Sequence, residues 1–267
     1  MKKAESVVET TTLPKGYRAY KIKGIDHTII ARKGGPSADR IRNDESYQEL
    51  RNNQKEFGIA SMMAKALRGS LSEGMSEICE TYVSGRLTAQ FRNLAKQEAG
   101  ETGTRPLYPS KHGHLLNGFE FNTAAPYDEI FGAKYFVKPG SRRGQVILHF
   151  PAFVPDKTFK KPSEASNFKI SARLVAISDY HFDENEKRYL PLDINCHGKF
   201  GSYHSNMLPL LKIPTEPMTA MISLDDVKQL SENTGLFLVM AVSFFSYKNG
   251  QFIHLPKESG MQIRRVY

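Results

Sequence analysis

The sequence predicts an α+β fold: an N-terminal β-hairpin and helices, followed by an antiparallel β-sandwich-like domain. Three observations predict it. Apolar residues recur at helical spacing between about residues 45 and 97. After a Gly/Thr/Pro-rich run at 99–109 the period becomes two, with frequent turn residues. No helices alternate with those later strands, so a parallel sheet built from βαβ units does not fit and antiparallel pairing is expected.

The elements follow in order. Residues 1–14 are polar and Thr-rich and read as a flexible tail. Tyr17–Lys23 alternates as a strand does, Gly24–Asp26 can turn, and His27–Arg32 returns; Gly34, Gly35 and Pro36 end the hairpin. Residues 37–44 read as irregular. Asp44 can cap a helix from about Glu45 to Phe57, with Gly58 as a break or weak point. Ile59, Met62, Met63, Ala66 and Leu67 continue an apolar stripe. Ser72 can open a further helix through Met75, Ile78 and Val83. Ser84 and Gly85 interrupt it, and Leu87, Phe91 and Leu94 resume it. These residues, 15–105, form the hairpin-plus-helix region, and 106–267 the β-rich domain.

In the β-rich domain the expected strands are Gly118–Asn122, Gln145–Phe150, Phe168–Asp179, Leu208–Ile213, Thr219–Leu224, Leu236–Tyr247, Phe252–Leu255 and Gln262–Val266. Asn249 and Gly250 between two apolar runs mark a hairpin, because both tolerate positive φ. One short helix, Asp225–Asn233, is expected behind a Ser223 cap.

Composition sets the class. Of 267 residues 40% are hydrophobic and 24% charged, which suits ordinary core burial. The longest apolar run, Leu236–Phe245, falls well short of the roughly 18 residues of a membrane span. The N-terminus lacks the apolar segment of a secretory signal. Cys79 and Cys196 form no spaced framework, so reduced thiols and a cytoplasmic location are expected.

Motifs for chemistry are sparse. There is no G-x-x-x-x-G-K-[ST], G-x-G-x-x-G or G-x-S-x-G. Lys138–Gly144 is basic and Gly-containing but reads as a surface turn. Asp183, Glu184 and Glu186 read as a solvated hairpin tip, a poor setting for acid–base work. The nearest approach to a metal-ligand set is Cys196, His197 and His204, set in a loop-like stretch without the four ligands of a closed zinc site. His112 with His114, and Asp179 with His181 and Asp183, are weaker still. No metal, no cofactor and no catalytic residue is therefore expected, and the sequence leans away from an enzyme.

Charge is the clearest functional signal. The net charge is +9, and residues 15–42 hold eight bases against Asp26 and Asp39. Arg32, Lys33, Arg40 and Arg42 are the expected contacts to an anionic partner. With Tyr17 and Tyr20 interleaved, the segment has the composition of a single-strand nucleic-acid binder; the alternative is a solvated face.

Four blocks in this region, Ile29–Gly35 (IIARKGG), Asp39–Asp44 (DRIRND), Arg51–Gly58 (RNNQKEFG) and Lys65–Arg68 (KALR), and then Gly118–Asn122 (GFEFN), resemble a family of uncharacterised proteins common in Bacteroidetes. The resemblance implies a hairpin, a basic Gly-Gly turn and helices ahead of a β-rich part, and a bacterial source. It implies no reaction and no site residue. The leading functional expectation is a self-assembling structural or interaction subunit. The alternatives are a nucleic-acid-binding protein using residues 15–42, and a ligand- or carbohydrate-binding sandwich module.

Overall fold

The hairpin forms where alternation placed it. In the computed structural model, which describes residues 13–22, 25–227 and 229–267, β1 (Tyr17–Tyr20) pairs antiparallel with β2 (Ile29–Arg32), Tyr17 lying opposite Arg32. Of the expected tail, residues 1–12 lie outside the described residues. Residues 37–44 are not irregular. They hold α1 (Ala38–Asn43), where the Ser37 Oγ accepts the Arg40 amide at 3.2 Å and Asp39 suits the positive helix end. Asp44 then caps a short 3-10 turn, Glu45–Tyr47, by accepting the Ser46 amide at 3.0 Å.

The chain forms two compact units, one up to Arg51 and one of Asn52–Tyr267. Their boundary lies within α2 (Gln48–Gly69), which runs unbroken through Gly58. A helical glycine costs only about 1 kcal/mol, and Ile59, Met63 and Leu67 on the same helix are buried. The helix expected from Ser72 shrinks to a single turn, α3 (Glu73–Ser76), and Ser72 makes no side-chain cap. By contrast α4 (Val83–Ala95) runs through Ser84 and Gly85 without interruption and buries Leu87, Phe91 and Leu94.

Two single turns follow, α5 (Pro109–His112) and α6 (Tyr127–Ile130), and then the strands: β3 (Phe136–Pro139) and β4 (Gln145–Phe150), the turn α7 (Pro155–Thr158), β5 (Asn167–Ser178), β6 (Tyr180–Asp183), β7 (Arg188–Pro191), β8 (Phe200–His204), β9 (Leu208–Pro209), β10 (Met218–Ser223), β11 (Thr234–Lys248), β12 (Gln251–His254) and β13 (Gly260–Val266). β5 and β11 pair antiparallel along twelve residues from Thr234 opposite Ser178 to Phe245 opposite Asn167. β12 and β13 share the far edge of β11, and β8 and β9 share the far edge of β5. β10, β4 and β3 make a second antiparallel sheet, and β6 with β7 a separate hairpin.

Side-chain alternation along β5 and β11 builds two cores. Phe168, Ile170, Leu174, Leu238, Met240 and Phe244 join Val146, Leu148, Phe150 and Ile222 of the second sheet in the sandwich core. Val175, Ile177, Phe237, Val239 and Ala241 face the other way and join Met63, Leu67, Leu87 and Phe91. The Phe91 and Phe237 rings lie 5.6 Å apart. The expected boundary at 105/106 is thus a change of element type inside one core. A strand covered on both faces needs no polar side, which is why Thr234–Val242 of β11 and Leu174–Ile177 of β5 are nearly continuous apolar runs, while the first half of β5 alternates through Lys169, Ser171 and Arg173.

Several expected elements differ. Gly118–Asn122 is not a strand, although it hydrogen-bonds along β13, Phe121 N to Met261 O at 2.8 Å. Leu208–Ile213 is cut to two residues at Pro209, which has no amide to donate. The Asp225–Asn233 helix does not form among its described residues: Asp225 and Asp226 turn with Asp226 at φ 56°, and the Ser223 Oγ accepts from Arg142 and Gln145 instead of capping. β8, read as loop-like, is a strand. Its Gly201 passes so close to β10 that a Cβ there would strike the Ser223 carbonyl.

Candidate functional site

The expected anion-binding residues all belong to the unit up to Arg51. Arg32, Lys33, Arg40 and Arg42 are exposed. Arg40 is answered locally: its Nε lies 3.1 Å from Asp44 and its guanidinium 5.6 Å from the Tyr47 ring. Arg32, Lys33 and Arg42 have no ion-pair partner among the described residues. No described residue from 13 to 51 is buried. Tyr17, Tyr20, Ile30 and Leu50 stand exposed, Ile30 by 53%.

The Cys196, His197 and His204 set does not converge. Cys196 is buried and its amide bonds the Asp193 carboxylate at 3.1 Å. The His197 Nδ1 accepts the Ser178 amide at 3.3 Å, while the His204 Nδ1 contacts the Ser171 Oγ at 2.9 Å. Ser171 and Ser178 lie seven residues apart along β5, roughly 23 Å at 3.3 Å per residue. Among the described residues no three His, Cys, Asp or Glu side chains come together as metal ligands. Both cysteines are free. Burial pushes the Cys79 thiol up to about 11, the state of an unreactive structural thiol. Asp183, Glu184 and Glu186 sit at the tip between β6 and β7, where Lys187 and Arg188 pair with the two glutamates.

Register exposes a site that sequence reading missed. The helix side of the central sheet divides in two. Val175, Ile177, Phe237, Val239 and Ala241 lie under the helices. Beyond them the same face carries Lys169, Ser171 and Arg173 on β5, Ser202 and His204 on β8, Ser243, Phe245 and Tyr247 on β11, and Phe252 and His254 on β12. Ser202, His204, Tyr247 and Phe252 are exposed. The rings pair across strands: Phe245 stacks on His254 at 5.0 Å, and Tyr247 meets Phe252 at 5.0 Å.

Arg173 is the anomaly of this face. It is 8% exposed, its Nε is buried without a hydrogen-bond partner, and its guanidinium lies 4.6 Å from the Phe200 ring. No carboxylate lies within ion-pair distance of it among the described residues. Burial lowers its pKa, with only the more distant Asp225 opposing, and burial together with Arg173 and Lys169 lowers that of His204. Removing a charge from water without a counter-charge is costly.

Other buried charges are answered. Glu56 takes Arg105 in a two-point grip, Nε to Oε1 at 2.8 Å and Nη2 to Oε2 at 2.9 Å, and accepts the Gly103 amide at 2.9 Å. Burial opposes its ionisation, but the Arg105 and Gly103 bonds and the Arg105 and Arg92 charges outweigh it and hold the carboxyl below the ordinary range. Glu120 is raised by burial and holds the Tyr127 amide at 3.1 Å, and Arg264 beside it pairs with Asp128 at 2.6 Å. An apolar groove of about 420 Å³ lies elsewhere, between Pro155, Leu208, Leu211, Ile213, Pro214 and Met218.

Comparison with models of known protein families, with curated proteins and with solved structures finds no match to this chain. No helix among the described residues is long and apolar enough to cross a membrane.

Proposed function

We propose that this chain is a non-catalytic, self-assembling structural or interaction subunit whose N-terminal segment docks on a second copy. One observation carries the reading: the described residues 13–51 bury nothing, while the body has two cores. An isolated two-stranded hairpin is marginal in water. Its open edges invite strand addition, and Tyr17, Tyr20 and Ile30 supply apolar surface that association would cover. The free thiols of Cys79 and Cys196 support a cytoplasmic setting.

Light scattering on a sizing column tests this across protein concentration. Full-length protein is expected to assemble with concentration, and a chain starting at Asp44 to stay monomeric. Monomers of both at every concentration would remove the basis of the reading.

A second reading, anionic-partner binding by the same segment, is favoured by the exposed, unpaired Arg32, Lys33 and Arg42. Nucleic acid held this way dissociates steeply with salt, as phosphates regain their counterions. Reversing Arg32, Lys33, Arg40 and Arg42 to Glu should abolish it; retention after that reversal would exclude it.

A further inference from the structure

Beyond the helix core, the same face of the central sheet combines a buried cation without a close counter-charge, a second cation, a row of small hydroxyl side chains of which Ser171 and Ser243 are buried, and exposed rings. The Arg173 Nε is buried without a hydrogen-bond partner, its guanidinium lies against the Phe200 ring, and no carboxylate is within ion-pair distance among the described residues, Asp225 acting from farther off. Four positions along β5 lies Lys169, on the same face, opposite Ser243 of β11. Between them Ser171 sits opposite His204, and Ser202 opposite Arg173, so the floor of the face is low and polar. At the far end Tyr247 is 57% and Phe252 48% exposed. The acid bordering this face, Glu77, is engaged by the His254 Nδ1 at 2.6 Å.

Spacing decides what kind of ligand reaches all of these groups. Same-face residues on a strand recur every roughly 6.7 Å. Arg173 and Lys169 are therefore roughly 13 Å apart, and the Tyr247 level lies roughly 13 Å beyond Lys169. One phosphate or one nucleotide meets only part of such a row. A polymer with regularly spaced phosphates and planar bases meets it all. We propose that this half-face is a binding surface for single-stranded nucleic acid, with Arg173 and Lys169 holding backbone phosphates and Tyr247 and Phe252 stacking bases. Cations that track a backbone beside rings that stack on any base are what strand binding without sequence preference requires. The ligand phosphate supplies the close counter-charge that Arg173 lacks, Asp225 acting on it only from beyond ion-pair distance. This surface is built from other residues than 15–42, and the proposal does not rest on self-assembly.

The test is fluorescence anisotropy of a short labelled oligothymidylate at several salt concentrations. It compares the full-length protein with Arg173→Met, Lys169→Gln and the double variant Tyr247→Ala/Phe252→Ala. Wild type is expected to bind at low salt. Arg173→Met and Lys169→Gln should each weaken binding and reduce the salt slope by about one. The ring double variant should weaken it about tenfold or more. Arg173→Met should melt no lower than wild type, since no partner is orphaned by its removal. If that variant fails to fold, the exchange at Lys169 decides.

Four results would overturn the proposal. They are no binding by wild type at low salt; binding unchanged by the sheet variants; binding lost only on reversing Arg32, Lys33, Arg40 and Arg42; and competition by thymidine monophosphate or inorganic phosphate as effective as by the oligomer.

Discussion

Glu56 and Arg173 are both charged side chains taken out of water in the same body, and they are treated in opposite ways. Glu56 is fully buried and receives a two-point arginine grip and a backbone amide. Arg173 is nearly as buried and receives one aromatic ring. The first is a closed structural site, in which the α2 helix is tied to the Gly103–Arg105 loop. The second has no carboxylate within ion-pair distance among the described residues, and its Nε has no hydrogen-bond partner. The contrast teaches that burial of a charge alone does not separate structure from function; the state of its partners does.

Breaking the closed site should have the largest effect. Glu56→Ala leaves Arg105 without its counter-charge and is expected to cost about 3–5 kcal/mol in urea unfolding. The same carboxylate sets a pH dependence. Its folded pKa lies below the ordinary value of 4.5. Its stabilisation is therefore whole above about pH 4.5 and is lost as pH falls through its lower folded pKa. Glu56→Gln should flatten that acid limb relative to wild type.

Arg105→Lys comes next. Lysine keeps the charge but cannot reproduce the two-point grip, and a loss of about 1.5–3 kcal/mol is expected from the same titration. Arg173→Met sharpens the comparison from the other side. Without ligand it should be neutral or stabilising by about 1 kcal/mol, because it removes an unanswered charge and orphans nothing. A loss as large as that of Glu56→Ala would mean Arg173 has a structural partner after all. The smallest effect is expected from starting the chain at Asp44. With no described residue buried up to Arg51, the melting transition of the body should move by no more than about 0.5 kcal/mol of stability.

What could be read from the chain follows from locality. β5 is legible from its alternation through Phe168, Ile170, Ala172, Leu174 and Ala176, and β11 from its long apolar run ending at a turn. The hairpin at Asn249 and Gly250 was legible because φ is positive at both, 53° and 80°. Gly58 only weakens α2 rather than breaking it, and the interruption expected at Ser84 and Gly85 does not occur, because a local propensity of about 1 kcal/mol is outweighed by buried neighbours such as Met63 and Phe91. β8 was missed because its short Gly- and Ser-containing run gains strand geometry from pairing with β5. The same pairing hides the candidate site. Arg173 looks like any polar residue in an alternating strand until the register places it opposite Ser202 and beneath Phe200. The basic segment at 15–42, by contrast, was legible from charge alone.

Both cores close on β11, which begins at Thr234, long after α4 ends at Ala95. A ribosome adding roughly 5–20 residues per second delivers β11 on the order of ten seconds or more after α4. Through that interval the helix core has Val175 and Ile177 of β5 but lacks Phe237, Val239 and Ala241 of β11, and the long-range β5–β11 pairing is slow to form even once both strands are available. The nascent chain is therefore expected to need a holding chaperone during synthesis, and to aggregate when translation outruns its supply.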